Sequence, residues 1–150
     1  MEVVVYLHKN GIAHRDIKPD NIILNKEKTQ ITLIDFNISK RGPLDGHAIK
    51  MMTRTGTPHF KAPEMLRDFV YDERVDEWMV GCVIYYMATG RIPFNENNEA
   101  KLNKMILEGA IETFDIEDKM VKDLVLRLMD RNVEERLLAK NALSHELFMK

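Results

Sequence analysis

The sequence predicts a mainly α-helical domain of the α+β class that carries one small β-hairpin. Two observations set that class. From Val75 to Thr89 the chain is apolar on nearly every helical face, through Val75, Trp78, Met79, Val80, Cys82, Val83, Ile84, Met87 and Ala88. That pattern marks a buried central helix rather than a surface one. Earlier, Ile22-Ile23-Leu24 and Ile31-Thr32-Leu33-Ile34 are two short β-rich runs joined by the polar stretch from Asn25 to Gln30, which reads as a hairpin.

The other elements follow in order. Val3, Val4, Leu7 and Ile12 form the tail of an apolar helix, which Asn10-Gly11 stops. The hairpin's second strand delivers Asp35 at its end. From Phe36 to Glu64 no periodicity is sustained, and Gly42-Pro43, Gly46, Gly56 and Pro58 break the chain. A connection of that length inside a compact domain is usually functional. Gly90 ends the central helix, with Pro93 just beyond. Glu99 to Glu108 is amphipathic through Leu102, Met105 and Ile106, and Gly109 follows it. Glu117 to Asp130 places Met120, Val121, Leu124, Val125 and Leu128 on one stripe, and a short last helix runs from Ala139 to Ser144.

At 150 residues the chain fits one domain, 1–150, able to bury about 68–70% of its unfolded surface. With 45% hydrophobic and 31% charged residues and no low-complexity stretch, it has an ordinary globular composition. A net charge of −2 points to neither nucleic acid nor an anionic membrane as partner. The longest apolar run, Met79 to Ala88, falls short of the roughly 20 residues a membrane span needs. The single Cys82 excludes an internal disulfide and any multi-cysteine metal site. The expected location is cytoplasmic, with the nucleus as the alternative. Ten methionines fit core packing, since most lie among leucines and isoleucines at helical spacing.

His14-Arg15-Asp16-Ile17-Lys18-Pro19-Asp20-Asn21 resembles the catalytic loop of protein kinases. His-Arg-Asp alone carries little, since charged triplets are common on solvated faces; extended to Asn21 with a hairpin following, it is specific. Phosphoryl transfer asks the protein mainly to position groups and neutralise charge. The resemblance implies Asp16 as the base that meets the attacking hydroxyl, Lys18 as the cation on the transferring phosphate, and Asn21 as a magnesium ligand.

Asp35-Phe36-Asn37 stands where the family carries Asp-Phe-Gly. Asp35 would hold the magnesium that bridges the ATP phosphates, and Phe36 would pack beneath against His14. Gly56-Thr57-Pro58-His59-Phe60-Lys61-Ala62-Pro63-Glu64 resembles the end of the activation segment, 35–64. There Thr57 would hydrogen-bond Asp16 and Lys18, and Glu64 would form a buried ion pair with Arg136. Asp76, with Trp78 and Gly81, resembles the start of the family's central helix, where the carboxylate accepts hydrogen bonds from catalytic-loop backbone. A helix-start role beside the N-terminal dipole is compatible with this.

The resemblance is to the larger, C-terminal lobe of a eukaryotic-type serine/threonine protein kinase domain: catalytic loop 14–21, activation segment 35–64, helical subdomain 75–150. Lys18 and the intact Gly56-Thr57-Pro58 favour serine/threonine over tyrosine specificity. Thr53 fits the usual spacing of an activating phosphosite, with Thr55 the alternative, and Arg15 and Lys40 match positions that receive the phosphate. Ile23 matches a position under adenine.

The resemblance implies ATP and Mg2+ as cofactors, and protein substrates and an activating kinase as partners. Three features depart from the family. Asn37 replaces a glycine that tolerates positive φ. Val133 stands where Pro is common, and Leu138 where Ser or Thr often caps the last helix. Neither a Gly-rich loop nor a Val-Ala-Ile-Lys-like strand occurs in these residues, so the chain by itself is expected to be inactive. Two other readings are a non-catalytic C-lobe acting as a protein-binding module and a metal-assisted hydrolase using Asp16 and Asp35. Substrate preference stays open: Asp20 would favour a basic residue before the phosphoacceptor, yet Tyr86 stands where basophilic kinases often place Glu.

Overall fold

The computed structural model describes residues 1–45, 47–53, 55–68 and 70–149. Gly46, marked above as a chain break, and Lys150, the end of the helical subdomain, lie outside them. The chain opens with helix α1 (Glu2–Lys9), which buries Val4 and Leu7 and ends at Asn10. Gly11 follows in the left-handed conformation at φ 66°. There a Cβ would meet the carbonyls of Gly42 and Pro43 and the Leu44 side chain, all at 3.1 Å. Both its φ and its crowding therefore favour glycine.

Strand β1 (Ile12–Ala13) pairs antiparallel with β4 (Lys40–Arg41), in register Ile12 to Arg41 and Ala13 to Lys40. This second small sheet was not expected: two residues per strand are too few to leave a period-2 signature. The expected hairpin is present as β2 (Ile22–Leu24) and β3 (Ile31–Leu33), with Ile22 opposite Leu33 and Leu24 opposite Ile31. Asn25 closes its turn, its Oδ1 accepting the amides of Thr29 and Gln30 at 2.8 and 2.9 Å.

Helix α2 (Pro63–Arg67) was also unexpected, since five residues give no amphipathic stripe; Pro at its first turn starts it. The long central helix α3 (Val75–Thr89) matches its expected bounds and stops at Gly90, left-handed at φ 71°. Trp78, Met79, Val75 and Cys82 are fully buried, so α3 is the trunk of the core.

Around it pack α4 (Glu99–Glu108), α5 (Lys119–Leu128) and α6 (Ala139–Ala142). Asn98 caps α4 by accepting the Lys101 amide. Asp118 caps α5 by accepting the amides of Met120 and Val121, so α5 starts two residues later than the hydrophobic stripe indicated. The last helix is likewise shorter than expected and is followed by a 3-10 turn, Glu146–Phe148. No described helix is long and apolar enough to cross a membrane.

Gly81 lies where α3 and α5 approach most closely. A Cβ there would stand 2.5 Å from Met129 Cγ and 3.1 Å from Leu128 Cβ. Gly81→Ala is therefore expected to destabilise the fold by about 1–3 kcal/mol through overpacking. Urea unfolding monitored by Trp78 fluorescence would measure it; unchanged stability would mean that the two helices part at no cost.

Candidate active site

Asp76, fully buried at the start of α3, accepts the amide of His14 on Oδ2 and that of Arg15 on Oδ1, both at 2.8 Å. Arg15 needs that grip. Its φ is +70°, a conformation that costs a residue with a side chain of order 1–3 kcal/mol. The bend turns Asp16 towards the activation segment. Asp35 is the other non-glycine residue with positive φ (61°) beside the site.

Asp16, 8% exposed, has both carboxylate oxygens engaged. Oδ1 accepts the Thr57 amide at 3.0 Å and the Thr57 hydroxyl at 2.7 Å. Oδ2 lies 3.1 Å from Lys18 Nζ and accepts the Asn21 amide group at 3.1 Å. Burial by itself would raise the Asp16 pKa; the hydrogen bonds from Thr57 and Lys18 more than offset it and hold the carboxyl below its ordinary range. Asp16 is therefore an anion at neutral pH. Its contribution to stability is present above the ordinary carboxylate pKa of about 3.9 and is lost as pH falls through the lower folded value.

Lys18 donates to the Thr57 hydroxyl at 2.7 Å, so Thr57 joins the Asp16 carboxylate and the Lys18 ammonium in one chain of hydrogen bonds. Gly56 makes that possible. It sits at φ 93°, and a Cβ on it would come within 2.9 Å of the Arg15 carbonyl.

Asn21 spends its NH2 on Asp16, both on the backbone carbonyl (2.8 Å) and on Oδ2, which leaves its Oδ1 without a hydrogen-bond partner among the described residues. Its backbone carbonyl accepts the Ile34 amide at 2.9 Å, which brings Asp35 alongside. Asp35 is exposed, and its Oδ1 accepts the Asn37 amide at 3.3 Å. No group of three or more His, Cys, Asp or Glu that could hold a metal ion is found among the described residues. One carboxylate and one amide oxygen nevertheless suit magnesium, which keeps several waters and takes its remaining ligands from phosphates. The residues fit that group.

Phe36 meets His14 edge to face, ring centroids 4.7 Å apart, and His14 Nε2 lies 3.0 Å from the Ile34 carbonyl. Ile23 is 52% exposed on β2. The left-handed residue of Asp35-Phe36-Asn37 is Asp35, so Asn37 is not called upon for the positive φ that its glycine-like tolerance suggested.

The activation segment is held at both ends. Arg15 donates from Nη1 to the Thr53 hydroxyl at 2.7 Å and from Nε to the Ile38 carbonyl at 2.6 Å. Lys40 is exposed on β4 and makes no hydrogen bond or ion pair to Thr53, so only one of the two cations expected there is at the threonine. The Thr55 hydroxyl is buried without a hydrogen-bond partner among the described residues. At the far end, Glu64 and Arg136, 3% exposed each, form a two-pronged ion pair, with Nη2 to Oε2 at 2.8 Å. Arg136 also donates to the carbonyls of Asp130 and Arg74 and stands over the Trp78 ring, 5.4 Å from its centroid.

Several contributors were missed. Tyr71 pairs with Met51 in an antiparallel bridge and donates its hydroxyl to the Thr53 carbonyl, and Glu73 accepts the Ile49 amide at 2.7 Å. Arg131 lies against Trp78 and Phe94, 5.9 Å from each ring centre, while donating to backbone carbonyls of Ile106, Met105 and Gly109. A tyrosine or arginine outside a motif gives no such signal in the sequence.

The chain around this arrangement of an anionic acid, a threonine and a lysine is similar to known proteins. Residues 1–148 match the protein kinase domain family. The chain belongs to that family. It is 34% identical over 99% of its length to serine/threonine-protein kinase cds1 of Schizosaccharomyces pombe, and 36% identical over 97% to calcium/calmodulin-dependent protein kinase type 1 of Macrobrachium nipponense. It is 38% identical over 95% of its length to calcium-dependent protein kinase 4 of Plasmodium berghei. The kinase chain spans 34%, 43% and 28% of those three proteins.

Removing one partner of the buried pair leaves the other uncompensated. Glu64→Ala is expected to cost about 3–5 kcal/mol, against much less for the double variant with Arg136→Met. Denaturant unfolding of the two variants checks this; equal losses would mean that the charge left behind is not what destabilises.

Proposed function

We propose that this chain carries the catalytic half of an ATP-dependent phosphotransfer to serine or threonine of protein substrates. The observation that carries the reading is the Asp16–Thr57–Lys18 chain beside Asn21 Oδ1, which has no hydrogen-bond partner among the described residues, because it gathers a base, a cation and a metal oxygen around one loop. ATP with Mg2+, when bound, supplies the transferable phosphoryl group and neutralises its charge.

The chain's own residues do the rest. Asp16, ionised at neutral pH, accepts the proton of the attacking hydroxyl. Lys18 lies beside it as the cation for the transferring phosphate. Thr57 fixes the separation of the two, and Asn21 and Asp35 offer oxygens to magnesium. Ile23 offers the adenine an apolar floor. Thr53, already held by Arg15, is the favoured phosphosite: a phosphate there would turn a cation–hydroxyl hydrogen bond into an ion pair.

In the full-length protein, Asp16→Asn is expected to lower kcat about 10²–10⁴-fold with nucleotide affinity nearly unchanged. Equal turnover by both forms would remove Asp16 from the mechanism. Thr53 should carry phosphate in the active protein, read by mass spectrometry, and Thr53→Ala should be less active; phosphate only at distant sites with a fully active variant would sink that assignment.

The 150 residues alone are expected to bind Mg-ATP weakly and transfer nothing measurable. Ile23 is half exposed on β2, and an adenine on it would rest on a floor without a roof. Half a cleft cannot hold the near-attack geometry that supplies about 7–11 kcal/mol of barrier reduction. Titration calorimetry and radiolabelled transfer decide this; micromolar affinity with Asp16-dependent transfer would show that the chain completes its own site.

A further inference from the structure

Arg41 is the one arginine among the described residues whose side chain makes no hydrogen bond, ion pair or ring contact. The others are held by carboxylates, as Arg74 and Arg136 are, or by backbone carbonyls, as Arg131 is. Arg41 is exposed on β4 and lines an open groove of about 580 Å³ with Lys40, His47 and Lys50. The rest of the lining is uncharged. Lys40 and Lys50 are likewise exposed and, among the described residues, their side chains pair with no acid. His47 stands 3.9 Å from Asp45, both well exposed. Three fixed positive charges thus face one groove in a chain whose net charge is −2.

The backbone that displays them is pinned. The Gly42 amide donates to the Gly11 carbonyl at 2.7 Å, and a Cβ on Gly42 would come within 2.9 Å of the Ile49 side chain. Ile49 is buried and donates its amide to Glu73 Oε2 at 2.7 Å; Met51, also buried, pairs with Tyr71. Lys50 lies between these two buried side chains and is itself exposed, while the pairing of β4 with β1 fixes the backbone of Arg41. Binding an anion here costs little backbone ordering and relieves the repulsion among the three cations.

We infer that this groove is a docking site for an acidic segment of a protein partner, with Arg41 and Lys50 as its principal cations. Charge complementarity selects the occupant. A guanidinium matches a carboxylate with two parallel hydrogen bonds, and the lysines add point charges beside it. Nucleic acids and anionic membranes draw on longer basic stripes, and the chain's overall negative charge opposes both. Arg41 and Lys50 belong to no motif read from the sequence, and neither pairs with Asp16 or Asp35, so the inference stands apart from the phosphotransfer reading.

Fluorescence anisotropy of a fluorescein-labelled hexaglutamate, titrated with the chain at physiological salt, tests this without reading phosphate transfer. Failure here and failure of the kinase reading are therefore separable. Saturable binding is expected. Arg41→Glu and Lys50→Glu should each weaken it about tenfold or more, whereas Lys140→Glu, an exposed lysine on α6, should change it by less than about twofold.

Should a charge-reversed variant not fold, nitrogen-15 amide shifts of the wild type decide: hexaglutamate must move the amides of Lys40, Arg41 and Lys50 and leave α5 in place. Absence of saturable binding, an equal loss in Lys140→Glu, or shifts centred elsewhere would each overturn the proposal. So would tighter binding to an oligothymidylate of equal charge or to phosphatidylserine vesicles. Self-association in sedimentation that Arg41→Glu abolishes would make a second copy the occupant and overturn it as well.

Discussion

The grip of one buried carboxylate on two successive amides organises this molecule. Asp76 sits at the start of α3, the helix with the most completely buried face, so its position is fixed by the core itself. From there it holds His14 and Arg15 in a bend that an arginine would not adopt unaided. Every polar contact of the site lies downstream of that bend: Asp16 faces Thr57, Arg15 reaches Thr53, and Asn21 folds back on Asp16. Two charge-assisted hydrogen bonds in a dry environment are strong enough to offset a strained φ. The site is therefore rigid because it is attached to packing, not because its own residues are stiff.

Much of this was legible in the sequence, for identifiable reasons. Val75–Thr89 could be read because fifteen residues without a polar face leave one physical solution, and its bounds came out as expected. The contacts of Thr57 with Asp16 and Lys18, of Glu64 with Arg136 and of Phe36 with His14 were anticipated from the resemblance to the kinase family, since a family motif is a record of geometry. What escaped were contacts made by residues with no local signature. β1 and β4 are paired by a tertiary approach too short to leave a pattern, and Tyr71 and Arg131 act through partners 18 to 26 positions away. Lys40, which the family resemblance matched to a phosphate-receiving position, is exposed on β4, where it pairs with Ala13.

Backbone strain is distributed unevenly. Of the three non-glycine residues with positive φ among those described, Arg15 and Asp35 flank the site and Lys28 lies in the hairpin turn. Strain at the first two persists because surrounding bonds over-determine them, the usual circumstance at functional sites. Asn37, the departure that drew notice in the sequence, bears none of it. The amide of Asn37 instead closes a small turn on the Asp35 carboxylate.

The pairing of Met51 with Tyr71 has a topological meaning. It ties the chain into a ring spanning residues 51–71, and the segment that brings Thr57 to Asp16 runs inside that ring. Closing a loop costs entropy that grows only slowly with its length, about 0.6 kcal/mol per doubling. An extra residue in the ring would therefore be nearly free to the fold. It would not be free to the chemistry, because Thr53 is held by Arg15 and Thr57 by Asp16, and only three residues of sequence separate the two. Within this hoop the protein would tolerate changes of composition far better than changes of length, and a one-residue insertion between 53 and 57 would yield a chain that folds normally and holds its threonine in the wrong place.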